Sequence, residues 1–336
     1  FGAMGSTGGP VSILNNNLLQ NSDFFTGAFP AQYGNAISGA FDLEMRSGNP
    51  NKREYVGQIG FNGFELGAEG PFSKNSRATY LANFRYSTLE VMTELGFDVA
   101  GQAIPQYKDG SFKVDVPTQN AGKFSLFGIG GLSYIEFLEA DREDSNFSYS
   151  TMPGTDTRNG SDMGALGLTH SYFLDKNTQL KTSLSLTGRR VETTVDTIFS
   201  ESNTKKLYYH EDNSQYSYGA SAKITKKFNA KNNISAGITW DNQNINYSDS
   251  ARKEDGTYRN LLSINKQYLH LLQSFAQWQH YFTDRLTLYT GLHHQYFSQT
   301  DDQALEPRAS LRWNFSKGKS LTAGYGMHHQ TQPLFV

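Results

Sequence analysis

The feature that most constrains this chain is a two-residue alternation of apolar and polar side chains, repeated in run after run from about Arg53 onward. Leu180, Thr182, Leu184 and Leu186 alternate with Lys181, Ser183, Ser185 and Thr187. Tyr216, Tyr218, Ala220, Ala222 and Ile224 alternate with Ser217, Gly219, Ser221, Lys223 and Thr225. Ile234, Ala236, Ile238 and Trp240 oppose Ser235, Gly237, Thr239 and Asp241, and Leu286, Leu288 and Leu292 oppose Thr287, Tyr289 and Gly291. Ala309, Leu311, Trp313 and Phe315 oppose Ser310, Arg312 and Asn314, and a last run aligns Leu321, Ala323, Tyr325 and Met327. Successive side chains of a strand point to opposite faces, so each run predicts a strand with one apolar face. About thirteen such strands can be drawn. Many exceed the ~5–6 residues usual in soluble sheets and reach the ~10 that a tilted membrane-crossing strand needs. Gln267–Phe282 is the exception: its alternation breaks at Leu269, Leu271 and Leu272, which predicts a bulge or a change of register.

The connections alternate as well. Tight turns are expected at Pro71–Ser76, Pro117–Gly122, Asp175–Thr178, Asn229–Asn232, Thr283–Asp284 and Ser316–Lys319. Longer polar loops are expected at Thr93–Gly110, Glu139–Gly160, Ser200–Asn213, Ser248–Leu262 and Thr300–Glu306. Short turns at one end and long loops at the other are the asymmetry of an outer-membrane barrel. Phe72, Phe124, Phe173, Phe228, Tyr281, Phe282 and Phe315 sit beside the tight turns, where a barrel carries an aromatic girdle at the lipid boundary.

Composition fits this reading. Hydrophobic content is 37%, low for a globular protein, yet aromatics reach 13%, which a disordered chain would lack. Lipid cannot satisfy backbone N–H and C=O groups, so strands cross it only in a closed barrel, apolar outside and polar within. That architecture explains low hydrophobicity without disorder. The net charge of -2 gives no footprint for nucleic acid. The absence of cysteine excludes disulfides, zinc ribbons, iron–sulfur clusters and thiol nucleophiles. No cofactor is implied.

The first 50 residues differ. Gly5 to Pro10 reads as a loop, Asn15 to Gln20 as a short helix with an Asn cap, Asp23–Gly27 as a short strand and Ala40–Arg46 as another. Within this stretch, Pro30-Ala31-Gln32-Tyr33-Gly34-Asn35-Ala36-Ile37-Ser38-Gly39 and the following Ala40–Arg46 resemble the end of the plug domain of TonB-dependent outer-membrane receptors of Bacteroidetes type. Gly67-Ala68-Glu69-Gly70-Pro71 with Arg77–Tyr86 is similar to that family's first barrel hairpins. Pro307–Trp313 and Gly324–Met327 are similar to its middle strands. The Arg often found before the Gly-Pro element is missing, with Thr26-Gly27-Ala28-Phe29 in its place.

The resemblance implies an all-β fold: the tail of an α+β plug over residues 1–50, then part of an antiparallel transmembrane β-barrel over 51–336. Barrels with a plugged lumen have ~22 strands, so a chain of this kind is expected to be a fragment holding about half of one. The implied activity is uptake of a scarce extracellular ligand (siderophore, cobalamin, glycan or peptide) across the outer membrane of a Gram-negative bacterium. The implied partners are TonB, reached through a plug segment missing here, that ligand, membrane lipid and lipopolysaccharide, with a surface lipoprotein as a further candidate. An adhesion or assembly barrel, or a barrel enzyme such as a lipase, is the alternative. Neither would need a plug.

The candidate site residues are the plug-tail motif Pro30, Ala31, Tyr33, Gly34 and Gly39, with Tyr33 and Asn35 as candidates to face the ligand path. Gly27, Gly34 and Gly39 are expected to serve tight backbone geometry. His293-His294 and His328-His329 invite a metal reading, but neighbours on a strand point to opposite faces and cannot chelate one ion. Asp141, Glu143 and Asp144, and Asp301, Asp302 and Glu306, form acidic sets in two expected loops, where solvated charge is the simpler reading than Ca²⁺. Tyr107 and Phe147 are aromatics in long loops, suited either to stacking on sugars or to packing. No Gly-x-Ser-x-Gly elbow or His-Glu-x-x-His motif is present, and Gly128-Ile129-Gly130-Gly131 falls inside a strand, so no enzyme is expected.

Overall fold

The computed structural model describes residues 12–20, 22–60, 63–87, 106–139, 153–199 and 204–332. Asp141, Glu143, Asp144 and Phe147 lie outside the described residues. A 3₁₀ turn at Asn16–Leu18 is capped by Asn15, whose side chain accepts from Asn17 N–H. A small antiparallel pair follows, β1 (Asp23–Thr26) and β2 (Gly39–Asp42). The second strand ends earlier than Ala40–Arg46 predicted: only Met45 makes a further bridge, to Leu19.

The rest is a thirteen-stranded antiparallel sheet in which each strand pairs with its sequence neighbours. Its strands are β3 (Glu54–Gly60), β4 (Gly63–Pro71), β5 (Thr79–Tyr86), β6 (Gln106–Pro117), β7 (Lys123–Phe137), β8 (Thr155–Asp175) and β9 (Thr178–Phe199). They continue with β10 (Thr204–Asn229), β11 (Asn232–Arg252), β12 (Tyr258–Thr283), β13 (Leu286–Phe297), β14 (Asp302–Ser316) and β15 (Lys319–Gly326). β3 and β15 are the edges.

Register aligns the predicted faces across strands. Leu126 lies opposite Leu168, Leu168 opposite Leu184, Leu184 opposite Ala220 and Ala220 opposite Trp240. Farther along, Leu292 meets Pro307 and Leu286 meets Trp313. Leu184 is 59% exposed and Trp313 50%, as befits an apolar belt that faces lipid. The alternate residues face inward.

Two expectations are corrected. Three of the long polar segments, Ser200–Asn213, Ser248–Leu262 and Thr300–Glu306, are mostly strand rather than loop. Only residues 200–203 separate β9 from β10, 253–257 separate β11 from β12, and 298–301 separate β13 from β14. β10 and β12 have 26 residues each, where ~9–11 suffice to cross a bilayer. Beyond the lipid both faces of a hairpin meet water, so the apolar half of the pattern disappears while backbone pairing continues. Glu306, expected in a loop, therefore lies inside β14 and is fully buried.

The girdle is also smaller than predicted. Phe173 pairs with Gln179 and Tyr281 with Thr287, both in the inward register, whereas Phe124, Phe228, Phe282 and Phe315 alternate with inward residues. The break in Gln267–Phe282 resolves as a bulge. The register shifts between Ile245 and Tyr247 on β11, opposite Lys266, which has a φ of 50°. Leu269 and Leu271 are thereby turned inward, and Leu269 packs with Ile245 and Tyr247 in a buried cluster.

Candidate functional site

The sheet curls around residues 12–49, which touch it at two separated places. The resulting seam between tail and wall is the candidate site. The first contact is on β4–β6. Glu65 accepts from Asn15, Asn17 and Asn83 at 2.9, 3.0 and 2.7 Å. Arg46 grips Glu69 with two nitrogens at 2.6 and 2.7 Å, and Asn49 N–H donates to the same carboxylate at 2.9 Å. That hydrogen-bonded carboxylate raises the Arg46 guanidinium above its ordinary pKa. Lys113 donates to Met45 O at 2.5 Å and Arg85 to Ser12 O at 2.8 Å.

The second contact is the turn Gly27–Gly34 on β10 and β12–β15. Ala31 N–H donates to Gln277 Oε1 at 2.9 Å, and His293 Nδ1 donates to Ala31 O at 2.8 Å. Arg308 donates to Pro30 O at 3.1 Å and Tyr33 O at 2.5 Å. It also pairs with Glu306, and its guanidinium lies 4.5 Å from the Phe29 ring centre. Glu306 accepts a further bond from His329 N–H at 2.6 Å. Phe29 and Ala31 are 2% exposed, so this knot is dry. A charge there persists only with a partner, and Arg308 and Glu306 supply each other's.

Two glycines let the backbones approach. A Cβ on Gly34 would stand 2.1 Å from His293 Nε2 and 2.3 Å from Gln273 Oε1. A Cβ on Gly291 would stand 2.7 Å from that of Ala31. Beside the turn lies a cavity of about 310 Å³, lined by Gln32, Tyr33, Gly34, Phe41, Phe275 and His293 among others.

Of the sequence candidates, Pro30, Ala31, Tyr33 and Gly34 meet the wall here. Gly39 does not: it lies in β2, where a Cβ would stand 2.6 Å from Phe25 O. The Tyr33 hydroxyl donates to Asp42 at 2.6 Å, and burial with that bond pushes the phenol's pKa up. Asn35, at a φ of 53°, accepts from Thr331 N–H at 2.7 Å and Thr331 Oγ1 at 3.0 Å. His293 faces the tail while His294 turns to the other side, 3.4 Å from Gln303. Sequence reasoning missed Gln277, His293, Arg308 and the Arg46–Glu69 pair as tail contacts. The one signal was Glu306-Pro307-Arg308, two opposite charges spaced to share a strand face.

The profile of the family described as TonB dependent receptor-like, beta-barrel matches residues 106–333. Among solved structures, a double mutant of the ferric enterobactin receptor of Pseudomonas aeruginosa superposes with a TM-score of 0.62 at 13% identity, over 97% of this chain and 51% of its own. The outer membrane transporter YddB of Escherichia coli gives 0.62 at 12% identity, over 96% and 49%. The Pseudomonas aeruginosa pyoverdine outer membrane receptor, bound to pyoverdine, gives 0.63 at 11%, over 94% and 52%. At these identities the likeness is one of fold, and the chain spans about half the length of each of these structures. No curated protein matches. The one-faced strands, the sequential antiparallel sheet and a profile match over most of the chain lead to one assignment: this chain belongs to the TonB-dependent receptor β-barrel family.

Proposed function

We propose that this chain is part of an outer-membrane active receptor that takes up a scarce extracellular ligand with energy delivered by TonB. Residues 1–50 are the end of its plug and 51–336 the first part of its barrel wall. The edges β3 and β15 are unpaired with each other, and in a bilayer they must pair with further strands that close the barrel. The wall stands in an outer membrane, its outward belt against lipid and lipopolysaccharide. The protein carries no chemistry of its own on the cargo.

The observation that carries this reading is the polar seam. The tail is held by side chains that donate to or accept from its backbone: Gln277, His293 and Arg308 at one end, Lys113 and Arg85 at the other. The bonds from Gln277 and His293 contribute about 0.5–1.5 kcal/mol net each and those from the charged Arg and Lys donors about 1.5–3, because water replaces them when the surfaces part. A pull on the plug can thus open the seam stepwise. The cavity beside Tyr33 and Gly34 supports placing Tyr33, and its neighbour Asn35, along the ligand path.

The test compares wild-type cells, cells lacking this receptor and cells lacking TonB for depletion of compounds from a defined medium. The same compound should stay in the medium in both deletions. Uptake that survives loss of TonB would defeat the proposal and favour a passive or adhesive barrel.

A further inference from the structure

Lys181 and Lys223 lie directly opposite each other on β9 and β10, on the inward face of the wall. Like charges placed so are destabilising. Three other inner-wall cations have carboxylates: Lys123 reaches Asp115 at 3.0 Å, Arg85 reaches Asp109 at 2.9 Å, and Arg308 pairs with Glu306. Among the described residues, neither Lys181 nor Lys223 has a carboxylate within ion-pair distance. Lys223 donates to Gln32 Oε1 of the plug tail at 2.6 Å, which leaves its remaining donors unspent. Asp42, the acidic group of the tail that acts on Lys223, is committed to the Tyr33 phenol.

The surroundings suit a ligand. Ser171 is the register partner of Lys181 on β8, and Gly237 that of Lys223 on β11. The row thus reads hydroxyl, ammonium, ammonium, glycine. The Phe275 ring leans over that glycine and lines the cavity beside the tail. Adjacent strands stand about 4.8 Å apart, so two ammonium groups can bracket one oxyanion. The pair lies close to the β8–β9 turn, with Lys181 three residues past Thr178. Tight turns mark the periplasmic end of such barrels.

Resting on the uptake reading above, we propose that Lys181 and Lys223, with Ser171, form an anion site near the periplasmic end of the lumen that receives a carboxylate or phosphate group of the cargo as the plug tail moves aside. The cargo is accordingly an anionic small molecule. Gln32 occupies one lysine while the tail is seated and frees it when the tail leaves, so the site strengthens as the path opens.

The experiment titrates inorganic phosphate into the full-length receptor in neutral detergent at low ionic strength, followed by ³¹P line broadening. The parent protein should bind saturably. A K181Q/K223Q double variant should bind at least about tenfold more weakly, since it loses both charge-assisted bonds. K226Q, which removes an outward, exposed lysine that rests over Phe228, should bind like the parent. Thermal unfolding without phosphate should leave the double variant as stable as the parent or more so, because a like-charge pair is gone. Equal phosphate affinity in parent and double variant, or no saturable binding by the parent, overturns the site. Uptake that still depends on TonB in that case leaves the transport reading standing, whereas uptake independent of TonB removes that reading whatever phosphate does.

Discussion

Arg308 and Tyr33 are 275 residues apart in the chain and are joined by a 2.5 Å hydrogen bond from the guanidinium to the backbone carbonyl. The same side chain reaches Pro30 O, Glu306 and the Phe29 ring. One wall residue thus fixes the turn that carries the plug-tail motif.

Arg308→Ala is therefore expected to cost about 3–5 kcal/mol, because it leaves the fully buried Glu306 without its cation. Arg308→Ala combined with Glu306→Gln should recover part of that loss, since no buried charge is then stranded. Urea unfolding in lipid vesicles measures both. A double variant no more stable than the single would show that the carbonyl contacts, not the ion pair, carry the energy.

Gly34→Ala should dislodge the turn. The new methyl would overlap His293 Nε2 and Gln273 Oε1, and such overpacking costs about 1–3 kcal/mol. Hydrogen exchange at Ala31 N–H, now bonded to Gln277, should accelerate. Gly57→Ala, where a Cβ meets nothing within 4 Å, should change neither stability nor exchange. Unaltered exchange in Gly34→Ala would mean that the turn does not seat against His293.

Leu184→Arg, on the lipid belt, should destabilise the complete barrel by about 2–4 kcal/mol. Thr187→Arg, exposed on the inward face of the same strand, should be tolerated because its charge meets water. Folding yields into vesicles compare the two. Equal cost for both would reverse the assignment of faces.

The Arg46–Glu69 contact should contribute less than its geometry suggests. Arg46 is 34% exposed and Glu69 11%, against 3% and 0% for Arg308 and Glu306. Double-mutant cycles should give about 1 kcal/mol for the first pair, falling with added salt, and a larger coupling, insensitive to salt, for the second. A salt-insensitive Arg46 coupling would place that pair deeper in the seam than it stands here.

The sequence by itself determined the strands, their faces and their order. The period-2 pattern of Leu180 to Thr187 or Ala309 to Phe315 records which side of each residue meets lipid, and a meander needs no further information to place neighbours. The pattern fell silent in two situations. Above the membrane, β10 and β12 continue as polar hairpins whose residues read as loops, because water on both faces removes the alternation. On the inward face, Lys181, Gln277 and Arg308 read simply as polar, His293 as half of a histidine pair and Glu306 as loop charge. Whether such a group meets water, another strand or the plug tail is decided by how far the sheet curls and where residues 12–49 thread through it. That is a long-range contact with no local periodicity. Only the tertiary structure could bring Tyr33 to Arg308, bury Glu306, and set Lys181 and Lys223 opposite each other.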